Sequence, residues 1–394
     1  MRIELCKCNQ WVSFKYKYLK SRLILSLLSF FIFLSCAADR KERANLPAIE
    51  IEEIRSIQLQ LDAETTNSNP YYQYIETDSM PLLALFNRLN YSIYLFDLAS
   101  EKQVAKYPFE EKGPDGLGSR VTFFQIMSKD SVFFHSYYNR MVYVNKLSGQ
   151  RVHSYKLFTE DSELYPDSGA GFPVTILDDR LVVGSGLPCN WQDDDRWRAN
   201  SVTIINRTDN DVSFDLKQSV SYADKRGGVY WPHQLCALYS TYNSESGEFM
   251  YSSPLENEVK LTDHRQEAVS VDFGSPEFSM ESAVKKPDLS NDPMVQLRQW
   301  LGYSRYGSIH YDPFRKIYLR SFYPEIPDEK LEQDVLRVSR KMLFANKDFD
   351  ILGEAELLGN DDIFFTKEGL NQVIFDSSKE DILEVKVYKY VFDN

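Results

Sequence analysis

The residues able to do chemistry in this chain are few and scattered. Its five histidines, His135, His153, His233, His264 and His310, include no i, i+4 pair and no Glu between two of them. A metalloprotease-type zinc site is therefore unsupported. No Gly-x-Ser-x-Gly elbow is present, which argues against a hydrolase of that class. Carboxylates paired for glycoside cleavage leave no sequence signature, because the fold sets their separation.

Two stretches are richer. "WQDDDRW" joins Asp193, Asp194 and Asp195 to Trp191 and Trp197. Its carboxylates would suit calcium, and its indoles would stack on a sugar ring or grip a partner; a solvated acidic loop with one Trp tucked over a sheet is the plainer reading. No cofactor is otherwise expected. "EEKGPDGLGSR" (110–120) packs three glycines, a proline and an aspartate into residues 113–118. It lacks the Gly-Lys-Ser/Thr ending of a phosphate loop, the following helix of a dinucleotide site and the alternate oxygens of an EF-hand. Pro114-Asp115-Gly116 instead fits a type I turn, with Gly113 and Gly118 suited to positive φ.

The N-terminus carries an address. Six basic residues and one acid occupy 1–22, followed by the apolar run "LILSLLSFFIFL" (23–34) and Ser35-Cys36. That is the build of a secretory signal, and twelve helical residues rise about 18 Å, short of a hydrocarbon core of about 30 Å. "FLSC" resembles a lipobox, with Phe33 and Leu34 departing from its usual residues; it implies cleavage before Cys36 and lipidation there. The expected organisation is a signal peptide at 1–35, a polar tether at 36–50 and one folded domain at 51–394. The expected location is the cell envelope, with the anchor holding the protein at the periplasmic side of the outer membrane or at the cell surface. Cleavage leaves 39 Lys and Arg against 57 Asp and Glu, a net charge of −18 compared with −13 for the whole chain. Such acidity repels phosphate backbones and argues against nucleic acid as a partner. It also leaves Cys189 and Cys236 as the one pair in an oxidising compartment, either bonded or as two buried thiols.

The elements that must position these groups are strands. Aromatics reach 14%, with 25 Tyr and 25 Phe, and period-two alternation recurs through the body. Only 291–303 and 327–341 read as helices. Four segments repeat one pattern: "SIYLFDLASEKQVAKYPF" (92–109), "MVYVNKLSGQRVHSYKLF" (141–158), "SVTIINRTDNDVSFDLK" (201–217) and "KMLFANKDFDILGEAELL" (341–358). Each is an apolar strand, a polar turn opened by Asp or Asn, then a second strand. Self-similarity at roughly 40–50 residues predicts an all-β fold, a single β-propeller, because one sheet cannot bury both faces and a ring of them can. Blades are expected near 71–110, 120–159, 171–217, 233–275, 303–358 and 361–392. The last lacks an outer strand, and "RSIQLQLD" (55–62) would supply it and close the ring. Six blades result; seven is the alternative count, and a pair of immunoglobulin-like sandwiches the alternative fold.

In a propeller, the connections from outermost to next innermost strand, and from second to third strand, open on one face. The long segments 159–171, 218–232, 276–302 and 184–200 all fall there. They carry Trp191, Trp197, Trp231 and Trp300, and Cys189 with Cys236 lies on or beside them. His233, in "YWPHQ", would enter an innermost strand from this face, whereas His135 and His310 read as packed or edge residues. The glycine-rich loop at 110–120 becomes the turn between the first two blades, with Asp115 and Arg120 expected near the channel mouth.

"EEKGPDGLGS", "SKDSVFFHSYYNRMVYVNKLSG" and "IHYDPFRKIYLRSF" together resemble the Bacteroidota lipoproteins grouped as the domain of unknown function 4221 family (DUF4221). The resemblance implies a propeller-like lipoprotein across 50–394 and no activity. Two functions follow as expectations. One is a binding module for a protein or glycan partner on the long-loop face, with Trp191, Trp197 and Trp231 as anchors. The alternative is a periplasmic hydrolase or lyase at the channel mouth, using Asp115, Arg120 and His233.

Overall fold

Alternating apolar residues form meanders of four antiparallel strands. In a computed structural model of the protein, the described residues are 46–394, except 68–70, 78, 159–164, 170, 187–199, 218–234, 236, 279–292, 333–339, 358, 360–361, 377 and 393–394. Cys36, Cys189, Cys236, Trp191, Trp197, Trp231, His233 and Asp193–Asp195 lie outside them, as does the signal segment.

The chain's first strand, β1 (Glu50–Gln60), belongs to the last sheet. The first sheet is β2 (Tyr72–Glu76), β3 (Pro81–Asn87), β4 (Ser92–Asp97) and β5 (Lys102–Pro108). The second is β6 (Val121–Ser128), β7 (Ser131–Ser136), β8 (Met141–Asn145) and β9 (Arg151–Lys156). In the third, two short pieces, β10 (Tyr165–Pro166) and β11 (Thr175–Ile176), pair with β12 (Arg180–Gly186), followed by β13 (Asn200–Asn206) and β14 (Val212–Lys217). The fourth is β15 (Tyr239–Asn243), β16 (Glu248–Ser252), β17 (Glu258–Thr262) and β18 (Val269–Asp272). The fifth is β19 (Arg305–Asp312), β20 (Ile317–Tyr323), β21 (Lys341–Ala345) and β22 (Ile351–Glu356). The sixth is β23 (Ile363–Phe365), β24 (Leu370–Ile374), β25 (Ile382–Val391) and, outermost, β1. The protein is a six-bladed all-β propeller closed by its N-terminal strand.

The repeated Asp or Asn has a structural cause. Its side-chain oxygen accepts the amide two residues on, and so bends the chain: Asp97 from Ala99, Asn206 from Thr208, Asp312 from Phe314 and Asn346 from Asp348, all at 2.8–2.9 Å. Many of these turns end on a residue in left-handed conformation, such as Glu101, Asn210, Lys316 and Phe349.

Neighbouring sheets bury one face each against the other. Ile57 and Leu59 of β1, with Leu383, Val385 and Val387 of β25, pack on Leu83, Leu85, Tyr94 and Phe96 of the first sheet. Each fully buried aliphatic side chain contributes about 2 kcal/mol. This is why the outermost strand can come from the far end of the chain: β1 covers an apolar edge that would otherwise face water. The folded unit starts at Pro47, earlier than the expected tether boundary. Ile49 donates its amide to Glu354 O at 2.8 Å, and Glu354 donates to Pro47 O at 2.9 Å. Only glycine allows that approach at Gly353, where a Cβ would meet Pro47 O at 2.4 Å.

Between the fourth and fifth sheets the seam is polar. Arg320 is fully buried, and its guanidinium donates to Ser252 Oγ and to the carbonyls of Asn257, Phe273, Ser253 and Glu256 at 2.6–3.3 Å. It also lies 3.6 Å from the centre of the Tyr306 ring. Among the described residues two helices stand outside the meanders: α1 (Pro293–Leu301) and α2 (Asp328–Glu332). They meet through Leu297, Trp300, Leu301, Ile326 and Leu331. Both fall within the expected helical stretches.

Candidate functional site

Strand order decides what each face carries. Connections from first to second strand of a sheet, and from third to fourth, run to at most six residues. At the opposite face the chain leaves β9, β12, β14 and β18 and returns at β10, β13, β15 and β19, in each case after more than six residues. A further long connection, residues 324–340 with α2, joins them and was not among those expected. On this face Trp300 is half-buried, with the Arg305 guanidinium 4.0 Å from its ring centre.

The glycine-rich loop is a turn, with Gly116 donating to Gly113 O at 3.1 Å and with Gly113 and Gly118 at φ 95° and 81°. Its placement corrects one expectation. Asp115 Oδ1 accepts the Arg151 amide at 2.8 Å, and the Arg151 guanidinium donates to the carbonyls of Asp115 and Gly116. Arg151 opens β9, an outermost strand, so Asp115 serves the outer edge of the second blade, away from the channel mouth. The reason is the twist of a blade, which carries its outer strands round towards the neighbouring sheet. Arg120 stands just before the innermost strand β6, its guanidinium 4.4 Å from the Tyr137 ring centre. Asp115 and Arg120 therefore do not converge on one site.

The described histidines divide by surroundings. His135 is fully buried, its Nδ1 2.5 Å from Ser168 Oγ and 3.0 Å from Thr122 Oγ1. Its Nε2 finds no partner among the described residues. Burial pushes its pKa down to about 3, so the ring is neutral at neutral pH. A Ser–His pair at this distance resembles a nucleophile and base, but both residues are sealed from solvent and so weak a base would take no proton from serine. His264 accepts from Tyr251 OH at Nε2 and donates from Nδ1 to Asp215, both at 2.7 Å, which ties the fourth blade to the third. Burial holds its pKa below the usual value, against the pull of Asp215. His153 is exposed on β9 and reaches Asn210. Among the described residues no group of three or more His, Cys, Asp or Glu gathers as a metal site would require.

Along the axis the innermost strands line an open cavity of about 370 Å³. All six blades line it, through Tyr71–Tyr74, Gln125, Pro173, Thr241, His310–Tyr311 and Asp362–Phe365 among others. Gln73 holds two of its walls together: its Nε2 donates to Ile126 O at 3.0 Å and its Oε1 accepts the Ile126 amide at 2.7 Å. Tyr74 stacks on Phe364 with ring centres 5.5 Å apart. Thr241 Oγ1 accepts the Tyr311 amide at 3.2 Å. His310 bonds Ser308 Oγ at 2.9 Å and turns its ring edge-on to Phe365. Sequence reasoning placed His310 on a strand and missed the cavity. The available signal was polar and aromatic residues crowding the inner strand "YYQYIE", where an ordinary strand would alternate with apolar ones.

A six-bladed propeller with one face carrying the long connections is the class these features define. The chain belongs to the family described as domain of unknown function (DUF4221), whose model matches residues 48–356. A member of that family from Bacteroides vulgatus has a similar crystal structure, with TM-score 0.70, 16% identity, and coverage of 88% of this chain and 99% of that one. A putative exported protein from Bacteroides fragilis is also similar, with TM-score 0.53, 10% identity, and coverage of 87% and 96%. At these identities the likeness concerns the fold. No curated protein matches the chain.

Proposed function

We propose that this protein is a cell-envelope binding module, anchored by a lipid at Cys36, whose propeller holds a protein partner on the long-connection face. The supporting observation is how chain length is distributed. One face is built from turns of at most six residues, while the other takes the chain's longest connections, among them those between β12 and β13, β14 and β15, β18 and β19, and β20 and β21. Long loops on a rigid scaffold are where recognition concentrates, and Trp191, Trp197 and Trp231 supply the large amphipathic rings that anchor protein interfaces.

The test is a photo-crosslinker at Trp197 of the full-length protein in intact cells, with a control probe at Ser148 on the short-turn face. One dominant protein adduct from Trp197, absent from Ser148, is the expected result. Replacing residues 187–199 by Asn-Gly should remove the same adduct from a probe at Trp231 and leave the unfolding midpoint in place. Absence of any protein adduct from Trp197 overturns the reading and turns attention to a glycan on that face.

A further inference from the structure

The axial cavity is used by nothing in the reading above, and its lining is selective. We infer that it is a binding site for a small neutral carbohydrate, a mono- or disaccharide, independent of the partner on the outer face.

Size and rigidity come first. At about 370 Å³ the cavity lies at the small end of ligand pockets, which run from roughly 300 to 1,000 Å³. Walls from six separate blades make it preformed, and the Gln73 clasp across β2 and β6 fixes two of them. A ligand there would meet a site already ordered, with little further entropy lost on binding.

Charge comes second. Among the described residues no Lys or Arg lines the cavity. A phosphate, carboxylate or nucleotide would have to shed its hydration with no cation to receive it, a loss that a few neutral hydrogen bonds do not offset. Asp362 is the one carboxylate on the wall among the described residues. Carboxylate oxygens accept hydrogen bonds from vicinal hydroxyls, which a sugar presents in pairs.

The polar and aromatic groups come third. Gln125 reaches the cavity from β6, and its amide makes no hydrogen bond among the described residues, in contrast to Gln73, whose amide is engaged at both ends. A free amide offers a donor and an acceptor together, which matches a hydroxyl acting in both roles. Thr241 adds a hydroxyl, while Tyr74, Tyr311 and Phe364 provide rings. The apolar C–H face of a pyranose packs on such rings, leaving its hydroxyl edge for Gln125, Thr241 and Asp362.

The experiment is ligand-observed saturation-transfer NMR on the full-length protein, in a detergent without a sugar headgroup. The probes are galactose, N-acetylglucosamine and cellobiose, with glucuronate and choline as charged comparators, each at millimolar concentration. Binding of at least one neutral sugar, weakened about tenfold or more by Gln125→Leu with the unfolding midpoint unchanged, is the expected result; that factor corresponds to losing one ligand hydrogen bond. Failure of all three sugars to bind overturns the inference, as does sugar binding indifferent to both Gln125→Leu and Thr241→Val. Tighter binding of choline than of any sugar overturns it in favour of a cation site. None of these outcomes bears on the crosslinking result, so the two readings stand or fall separately.

Discussion

Arg320 shows how much a single side chain can carry in this ring. Its guanidinium gathers four carbonyls and a hydroxyl at the seam of two blades. Truncating it would leave those carbonyls buried without donors, so Arg320→Ala should lower stability by about 3 kcal/mol or more in denaturant melts. Arg320→Lys should recover little of that, because a point ammonium cannot serve a planar fork of acceptors. Full rescue by lysine would show that the charge alone matters. His135 makes a pH-dependent prediction. Its folded pKa of about 3 lies below the unfolded value near 6.5, so the unfolded state binds the extra proton between them. The stability it contributes is complete above about pH 6.5 and is lost as pH falls towards 3. The stability gap between the wild type and His135→Gln should therefore shrink by up to about 1.4 kcal/mol per pH unit below that point. A gap constant from pH 7 to pH 4 would refute the assignment.

At the scale of the element, turns hold the ring as firmly as strands do. Gly118 sits at φ 81° in the loop joining the first two blades, and a Cβ there would meet Asn139 Nδ2 at 2.4 Å and Ser136 Oγ at 2.8 Å. Gly247 has a similar φ of 75°, but faces open space. Gly118→Ala should therefore cost about 2–3 kcal/mol and Gly247→Ala about 1 kcal/mol, read from urea midpoints. Equal losses would show that conformation alone, without the close approach, sets the cost. The hairpins themselves were legible in the sequence because their cause is local: an Asp or Asn, its own amide two residues on, and alternating strands to either side. The fourth blade resisted because "SSPLENEV" breaks alternation where Arg320 claims the carbonyls of Ser253, Glu256 and Asn257. The third blade starts earlier than expected because its inner strand is split in two, each piece too short to show a period.

For the whole molecule, closure by β1 followed from counting, since the sixth set of strands lacked an outer member and one amphipathic strand stood unassigned at the other end. The asymmetry of the two faces followed in the same way, from the lengths between strands and the rule that alternate connections share a face. What the sequence by itself determined were therefore the strands, their turns, the number of blades and the face that carries the long connections. All of these depend on spacing along the chain. Only the tertiary structure decided which side chains share a volume: that Asp115 turns outward to Arg151, that Ile49 docks on β22, and that Tyr74, Gln125, Thr241 and Asp362 meet around one axial cavity. Period two says which side of a strand a residue is on. It does not say which of six radially arranged strands will stand opposite, and that is settled by twist and closure acting on the ring at once.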